Sequence, residues 1–257
     1  MPFLLVAAFL ITAILYASVG FGGGSTYNAL LVLNGTDYRI LPMIALVCNI
    51  IVVSGGVWRF SRSGHLSLRR LLPFLVTSIP MAWFGGRLLI SETAFVGLLG
   101  LALLLSGLRL ALEKSIVHDS ADTAGSQYVS SGIAGAGIGF LSGLVGIGGG
   151  IFLAPVLYMM KWGGPRQIAA ACSLFILANS LSGLAGQVMK LHGTALLSLA
   201  LPYWPLPLAV LIGGQAGTWL AGYGLKPGII KRLTAILILY VAARLLIHWF
   251  QLIVNGP

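Results

Sequence analysis

Two glycine clusters are the places in this chain where backbone chemistry is exposed. Gly20-Phe-Gly-Gly-Gly24 is followed by Ser25, and Gly146-Ile-Gly-Gly-Gly150 by Ile151. Each interrupts an apolar segment. A glycine inside a helix costs about 1 kcal/mol against alanine. In lipid a broken backbone must also be satisfied by protein or by a water-filled cavity. Two such breaks at matching positions mark a substrate site. A helix that starts just after each break presents unpaired N–H groups and the positive end of its dipole, which attract anions. Gly22, Gly23, Gly24, Ser25, Gly148, Gly149 and Gly150 are therefore candidate substrate-binding residues. Neither cluster is a phosphate loop, because no Gly-Lys-Ser/Thr follows. Neither is a dinucleotide turn, because no βαβ unit surrounds it.

Few other residues offer chemistry. Asn49 and Asn179 lie inside apolar segments, and their amides can donate to an oxyanion. Ser25, Thr26, Asn28, Ser173, Ser180 and Gln187 are weaker candidates of the same kind, while Ser54 and Ser182 suit packing. Arg244 falls near the middle of an apolar segment, where a charge costs at least about 3 kcal/mol, so it is a candidate anion contact. Arg87 and Arg109 lie near segment ends, where they can reach the interface. His248 stands beside Trp249, as in an interfacial aromatic belt. All five acids (Asp37, Glu92, Glu113, Asp119 and Asp122) lie in loops or at segment ends. A proton relay or a cation path through the bilayer normally carries such groups. Their absence from the spans suits an anion.

The elements that must position these residues are helices in a membrane. The 257 residues are 58% hydrophobic and only 8% charged, against about 25% charged in a soluble domain. The mean hydropathy is +0.99. Apolar segments run at 2–19, 25–33, 40–57, 71–89 and 93–112, then at 128–145, 151–160, 167–188, 195–222 and 233–253. Most approach the roughly 20 residues that cross the hydrocarbon core. The two segments after the glycines, 25–33 and 151–160, are half that length. Met1 to Leu15 lacks the basic flank of a signal peptide. Cys48 and Cys172 sit in apolar runs, which excludes a disulfide framework and zinc spacing. The net charge of +10 is carried in the breaks between segments, where topology needs it, so no nucleic-acid partner is expected. The expected partners are a small anionic substrate and the lipid bilayer, with no cofactor and an undefined coupling ion.

The halves repeat. The glycine breaks match, Arg39 matches Arg166, Asn49 is aligned with Asn179, Gly56 with Gly186, and Gly85 with Gly217. The order is kept, which argues for duplication. Residues 1–112 and 128–257 are the two membrane repeats, and the polar stretch 113–127 is the linker. Gly135, Gly139 and Gly143, four residues apart, suit close helix packing. In the second half Pro202-Tyr-Trp-Pro-Leu-Pro207 reads as a helix entry at the interface, anchored by Tyr203 and Trp204.

Charge sets the orientation. The loop 58–70 carries Arg59, Arg62, Arg69 and Arg70, while its neighbours 34–39 and 90–92 have no basic excess. In the second half the basic loops are 161–166 and 223–232, which correspond to the neutral loops of the first. Short basic loops stay in the cytoplasm. The expected class is therefore all-α and polytopic, with two inverted-topology repeats and a glycine-broken helix pair in each. Against the alternative of four spans per half in parallel, each half has five spans, two of them short, or three spans and a re-entrant pair. Both place the termini outside the cell membrane and the linker in the cytoplasm.

The repeated Gly-x-Gly-Gly-Gly breaks, in a two-half chain of this length and hydropathy, resemble the TauE/SafE family of membrane transporters. The most specific stretch is Gly143-Leu-Val-Gly-Ile-Gly-Gly-Gly-Ile-Phe-Leu-Ala-Pro155. In the first half Ser25-Thr-Tyr-Asn28 stands in place of the apolar residues that follow the second break. The resemblance implies two repeated halves and transport of sulfite, sulfoacetate or another small organosulfur anion. The expected function is secondary transport of sulfite, thiosulfate or an organosulfonate by alternating access. An anion-selective channel on the same fold is the alternative. No nucleophile with its base, no metal-ligand spacing and no HExxH or GxSxG motif points to an enzyme. A scaffold subunit would leave the two breaks unexplained.

Overall fold

The computed structural model describes residues 3–112, 127–191, 196–220 and 227–255. Among them the chain is helical and has no strand. The first half runs α1 (Phe3–Val19), α2 (Gly24–Leu33), α3 (Leu41–Arg62), α4 (Leu68–Arg87) and α5 (Glu92–Leu112). The second runs α6 (Gln127–Val145), α7 (Gly150–Met159), α8 (Pro165–Leu191), a short α9 (Leu196–Ala200), α10 (Pro205–Leu220) and α11 (Pro227–Asn255). The expected linker 113–127 lies outside the described residues except for Gln127, which opens α6. His118, His192 and Lys226 also lie outside them.

Three described helices are long and apolar enough to cross a membrane by length and composition: Leu41–Arg62, Tyr128–Val145 and Pro165–Lys190. α4, α5 and α11 run 20, 21 and 29 residues, so most segments have the length expected of them. Glycines and prolines set the exceptions. The first break ends α1 after 17 residues. The stretch 195–222 is not one helix, because Pro202 starts a 3-10 turn over Leu201–Tyr203 and Pro205 starts a separate 16-residue α10. Proline lacks the N–H that would continue the ladder.

The half-length segments are 10-residue helices, about 15 Å long at 1.5 Å per residue. α2 folds back along α1: the hydroxyls of Tyr16 and Thr26 are 2.7 Å apart, and the Phe9 and Tyr27 rings stack at 4.7 Å. Each half-helix ends in the same way. Thr36 N bonds to Leu31 O as Trp162 N bonds to Leu157 O. Gly35 at φ 70° is matched by Lys161 at φ 50°.

Elements of one half pack on those of the other in a reciprocal pattern. α4 lies on α6, and α10, the fourth long element of the second half, lies on α1. α3 packs on α8, and α5 on α11. Both of the latter pairs run antiparallel. Along α3 and α8, Leu46 meets Gly183 while Gly56 meets Ser173. Along α5 and α11, Gly97 meets Trp249 while Gly107 meets Ile238.

Glycine permits the closest of these contacts. A Cβ on Gly139 would run into the backbone of Ser78, and one on Gly143 into the backbone of Ala82. The α6 glycines thus let two helix backbones touch, the usual device where no hydrophobic effect drives helices together. Many outward-facing residues are large and apolar, among them Leu72, Val76, Leu105, Ile133, Ile212 and Phe250, as a lipid-facing surface requires.

Candidate functional site: the paired glycine breaks

The two breaks share one backbone course. Phe21 N bonds to Tyr16 O, and Ile147 N to Ser142 O. Gly23 (φ 83°) and Gly149 (φ 81°) are the N-caps of α2 and α7, both in the left-handed region that other residues avoid. Neither helix start has a side-chain cap. A helix leaves its first N–H groups without intrahelical partners. Here they are buried, since 22–29 and 142–150 are closed off from solvent.

The breaks meet at the α3–α8 contact. The Asn49 amide lies against both Gly22 and Gly24, so tightly that neither could carry a Cβ. Its Nδ2 donates to Ile147 O at 3.1 Å, in the opposite break. Asn28 Nδ2 donates to Val145 O at 2.7 Å and to Gly146 O at 3.3 Å. From the second repeat, Ser173 Oγ donates to Gly20 O at 2.8 Å. Gln187 Nε2 donates to Gly143 O at 2.9 Å. The carbonyls freed by the breaks are thus taken up by side chains that cross between elements, as a buried broken backbone needs.

Several buried polar atoms keep no partner: Ser25 Oγ, Tyr27 Oη, Asn49 Oδ1, Ser142 Oγ, Ser180 Oγ and Asn179 Oδ1. Buried polar groups are normally paired; of these exceptions, Tyr27, Asn49, Ser142 and Ser180 lie against glycines of the breaks, and Ser25 is in the first turn of α2. Among the described residues no group of three or more His, Cys, Asp or Glu side chains could hold a metal.

The structure brings together Gly22, Gly23, Gly24, Ser25, Asn49, Gly148, Gly149 and Gly150. It places Asn179 differently from Asn49. Asn179 Nδ2 turns back to Phe175 O of its own helix at 2.9 Å. The reciprocal contacts make Ile176 the counterpart of Asn49. Asn49 covers Gly22 and reaches Gly148, while Ile176 covers Gly148 and reaches Gly22. In the same way Gly183, and not Gly186, is the partner of Gly56. Sequence alignment of the two asparagines had slipped by three residues, nearly one helical turn.

Arg244 is not at the breaks. It is exposed on α11, while Val241, Ala242 and Leu245 form the buried face toward α5. A charge there needs no cavity, because a long arginine stem can carry its head outward. Ile176 and Ser142 were missed by sequence reasoning. For Ile176 the available signal was the spacing of 127 residues shared by Asn49–Ile176, Gly56–Gly183 and Arg39–Arg166.

Two further surfaces frame the site. At one end of the bundle Arg59 donates to Thr218 O and Arg70 to Trp162 O. At the other, Thr36, Asp37, Arg39, Glu92 and His248 line a cavity of about 460 Å3. Asp37 and Arg39 form an ion pair there at 2.6 Å. The hydrogen bond from Arg39 holds the Asp37 carboxyl below its usual range.

The model of the sulfite exporter TauE/SafE family matches residues 4–245. The chain belongs to the TauE/SafE family. Curated relatives share most of its length. The probable membrane transporter protein y4hK of Sinorhizobium fredii is 32% identical over 245 residues, covering 94% of this chain and 97% of the relative. The probable membrane transporter protein YunE of Bacillus subtilis is 27% identical, over 77% of this chain and 82% of its own. A third, MJ0441 of Methanocaldococcus jannaschii, is 25% identical over 72% of this chain and 71% of its own. No solved structure matches. The family assignment and the apolar helices make this TauE/SafE chain a membrane-embedded transporter protein.

Proposed function

We propose that this protein is a secondary transporter that moves a small sulfur oxyanion or organosulfonate across the cytoplasmic membrane by alternating access. The observation that carries the reading is the pair of uncapped helix starts at Gly24 and Gly150, whose glycine breaks meet at Asn49. A helix N-terminus favours negative charge, and the breaks hold no carboxylate to oppose it. Antiparallel packing of α3 on α8 and of α5 on α11 supports a twofold axis in the membrane plane, hence inverted repeats. Such repeats exchange conformations to open the site to one side and then the other. The Arg59–Thr218 and Arg70–Trp162 bonds gather the expected basic loops at one end of the bundle. This favours a cytoplasmic face there and termini outside. Asn179 and Arg244 have no part in the proposed site. An enzymatic role is set aside, because nothing at the breaks pairs a nucleophile with a base.

The test is uptake of labelled sulfite, thiosulfate and small sulfonates into proteoliposomes, with and without proton, sodium and voltage gradients. Saturable flux with exchange of labelled substrate is expected. Flux that does not saturate or exchange would make the protein a channel. No flux of any of these anions by folded protein would overturn the anion reading.

A further inference from the structure

The two breaks are alike in backbone and unlike in what covers them. At the start of α2 the carboxamide of Asn49 lies over Gly24. At the equivalent place on α7 the hydrocarbon side chain of Ile176 lies over Gly150. The first turns differ in the same sense. α2 begins Gly24-Ser-Thr-Tyr, and α7 begins Gly150-Ile-Phe-Leu. A polar lining and an apolar lining therefore occupy equivalent positions.

Asn49 and Ser25 stand at the start of α2. Asn49 Nδ2 carries two protons, one of which goes to Ile147 O. The atom is also 2.9 Å from the point where a Cβ on Gly148 would lie, and Ser180 Oγ is 3.1 Å from that same point. Ser25 Oγ is buried in the first turn of α2. Ser25 Oγ, Ser180 Oγ and Asn49 Oδ1 have no partner, and the three residues are at most 2% exposed. Hydroxyls can donate to an oxyanion, and an unpaired amide oxygen accepts from a water or a hydroxyl that arrives with it. The first turn of α7 carries no hydroxyl or amide side chain, Ile176 lies over Gly150, and Ser142 meets Gly149 through its Cβ.

We infer that the anion binds at one break only, against the α2 N-terminus with Asn49 and Ser25 as donors, while Ile176 closes the α7 N-terminus. The inference rests on the anion reading above. Each chain then holds one anion, and the pseudo-symmetry of the backbone is not a symmetry of binding. Asn49 is the residue that makes the difference, because an isoleucine in its place would shut α2 as Ile176 shuts α7.

Calorimetric titration of purified full-length protein with sulfite, thiosulfate and ethanesulfonate tests this. One bound anion per chain is expected for at least one of them. Ser25→Ala and Asn49→Asp each weaken Kd tenfold or more, the first by removing a donor and the second by adding a repelling charge. Ile151→Ala, at the α7 position equivalent to Ser25, changes Kd less than twofold. Thermal unfolding of each variant shows whether it is folded, and Ser25→Ala is small enough to survive if Asn49→Asp is not. Two bound anions per chain, or equal losses from Ser25→Ala and Ile151→Ala, would remove this inference and leave the anion reading standing. No binding of any of the three anions to folded wild-type protein would remove both.

Discussion

Asn49 on α3 and Ile176 on α8 hold equivalent places, and each reaches across into the glycine break of the other repeat. One carries an amide and the other a hydrocarbon. Two breaks of one backbone course thus have unlike faces at the centre of the bundle. The amide also ties the repeats together through Ile147 O.

The N-cap glycines should tolerate no side chain. The left-handed conformation costs an L-residue about 1–2 kcal/mol. A Cβ at Gly23 would also press on the Tyr27 ring at 3.0 Å, and one at Gly149 on the Phe175 ring at 2.9 Å. Gly23→Leu and Gly149→Leu are expected to abolish proteoliposome flux while the protein still inserts. Gly23→Ala and Gly149→Ala should lower flux less. Normal flux in both leucine variants would make the breaks packing features only.

On α6, neighbouring glycines should behave differently. Gly139→Val and Gly143→Val drive a side chain into the α4 backbone and should lower Tm steeply or prevent folding. Gly137 has nothing within 4 Å of its Cβ position. Gly137→Ala should leave Tm unchanged or raise it, since alanine is the better helix former by up to about 1 kcal/mol. Thermal unfolding in detergent separates the two cases.

Arg244→Ala should leave the apparent affinity for every transported anion unchanged, because the side chain is exposed on the face of α11 turned away from α5. An affinity loss measured by uptake kinetics would return Arg244 to the site.

The Asp37–Arg39 pair should give stability a weak acid dependence. Arg39 lowers the Asp37 pKa in the folded protein, and unfolded aspartate titrates near about 3.9. The contribution is therefore present above the unfolded value and is lost as pH falls through the folded one. Both side chains are partly exposed, at 26% and 46%, so solvent screening keeps the effect small. Asp37→Asn should flatten Tm against pH below pH 4 relative to wild type, and should change little at pH 7.

Much of the architecture was readable locally. The half-length helices follow from Gly22–Gly24 and Gly148–Gly150, because glycine ends a helix through its own backbone freedom. The close α4–α6 contact was legible in the four-residue spacing of Gly135, Gly139 and Gly143, which places them on one helix face. The family was legible in the glycine pentapeptides. These features depend on neighbours along the chain.

The site itself depended on packing. Asn49 and Asn179 are both amides in apolar helices, yet only Asn49 faces the opposite break, because a helix turns about 100° per residue and a slip of three changes the neighbours. Arg244 shows the same limit. In a membrane the lipid-facing and core-facing sides of α11 are both apolar, so periodicity cannot tell which side the arginine takes. Asn28 reaches Val145 O across 117 positions of sequence, a contact that no local pattern encodes. The amino-acid sequence by itself determined where the backbone breaks and which loops carry charge, since those follow from the conformational range and ionisation of single residues. Tertiary structure alone decided that Ile176, and not Asn179, stands opposite Asn49, because that pairing is set by how two antiparallel helices interlock.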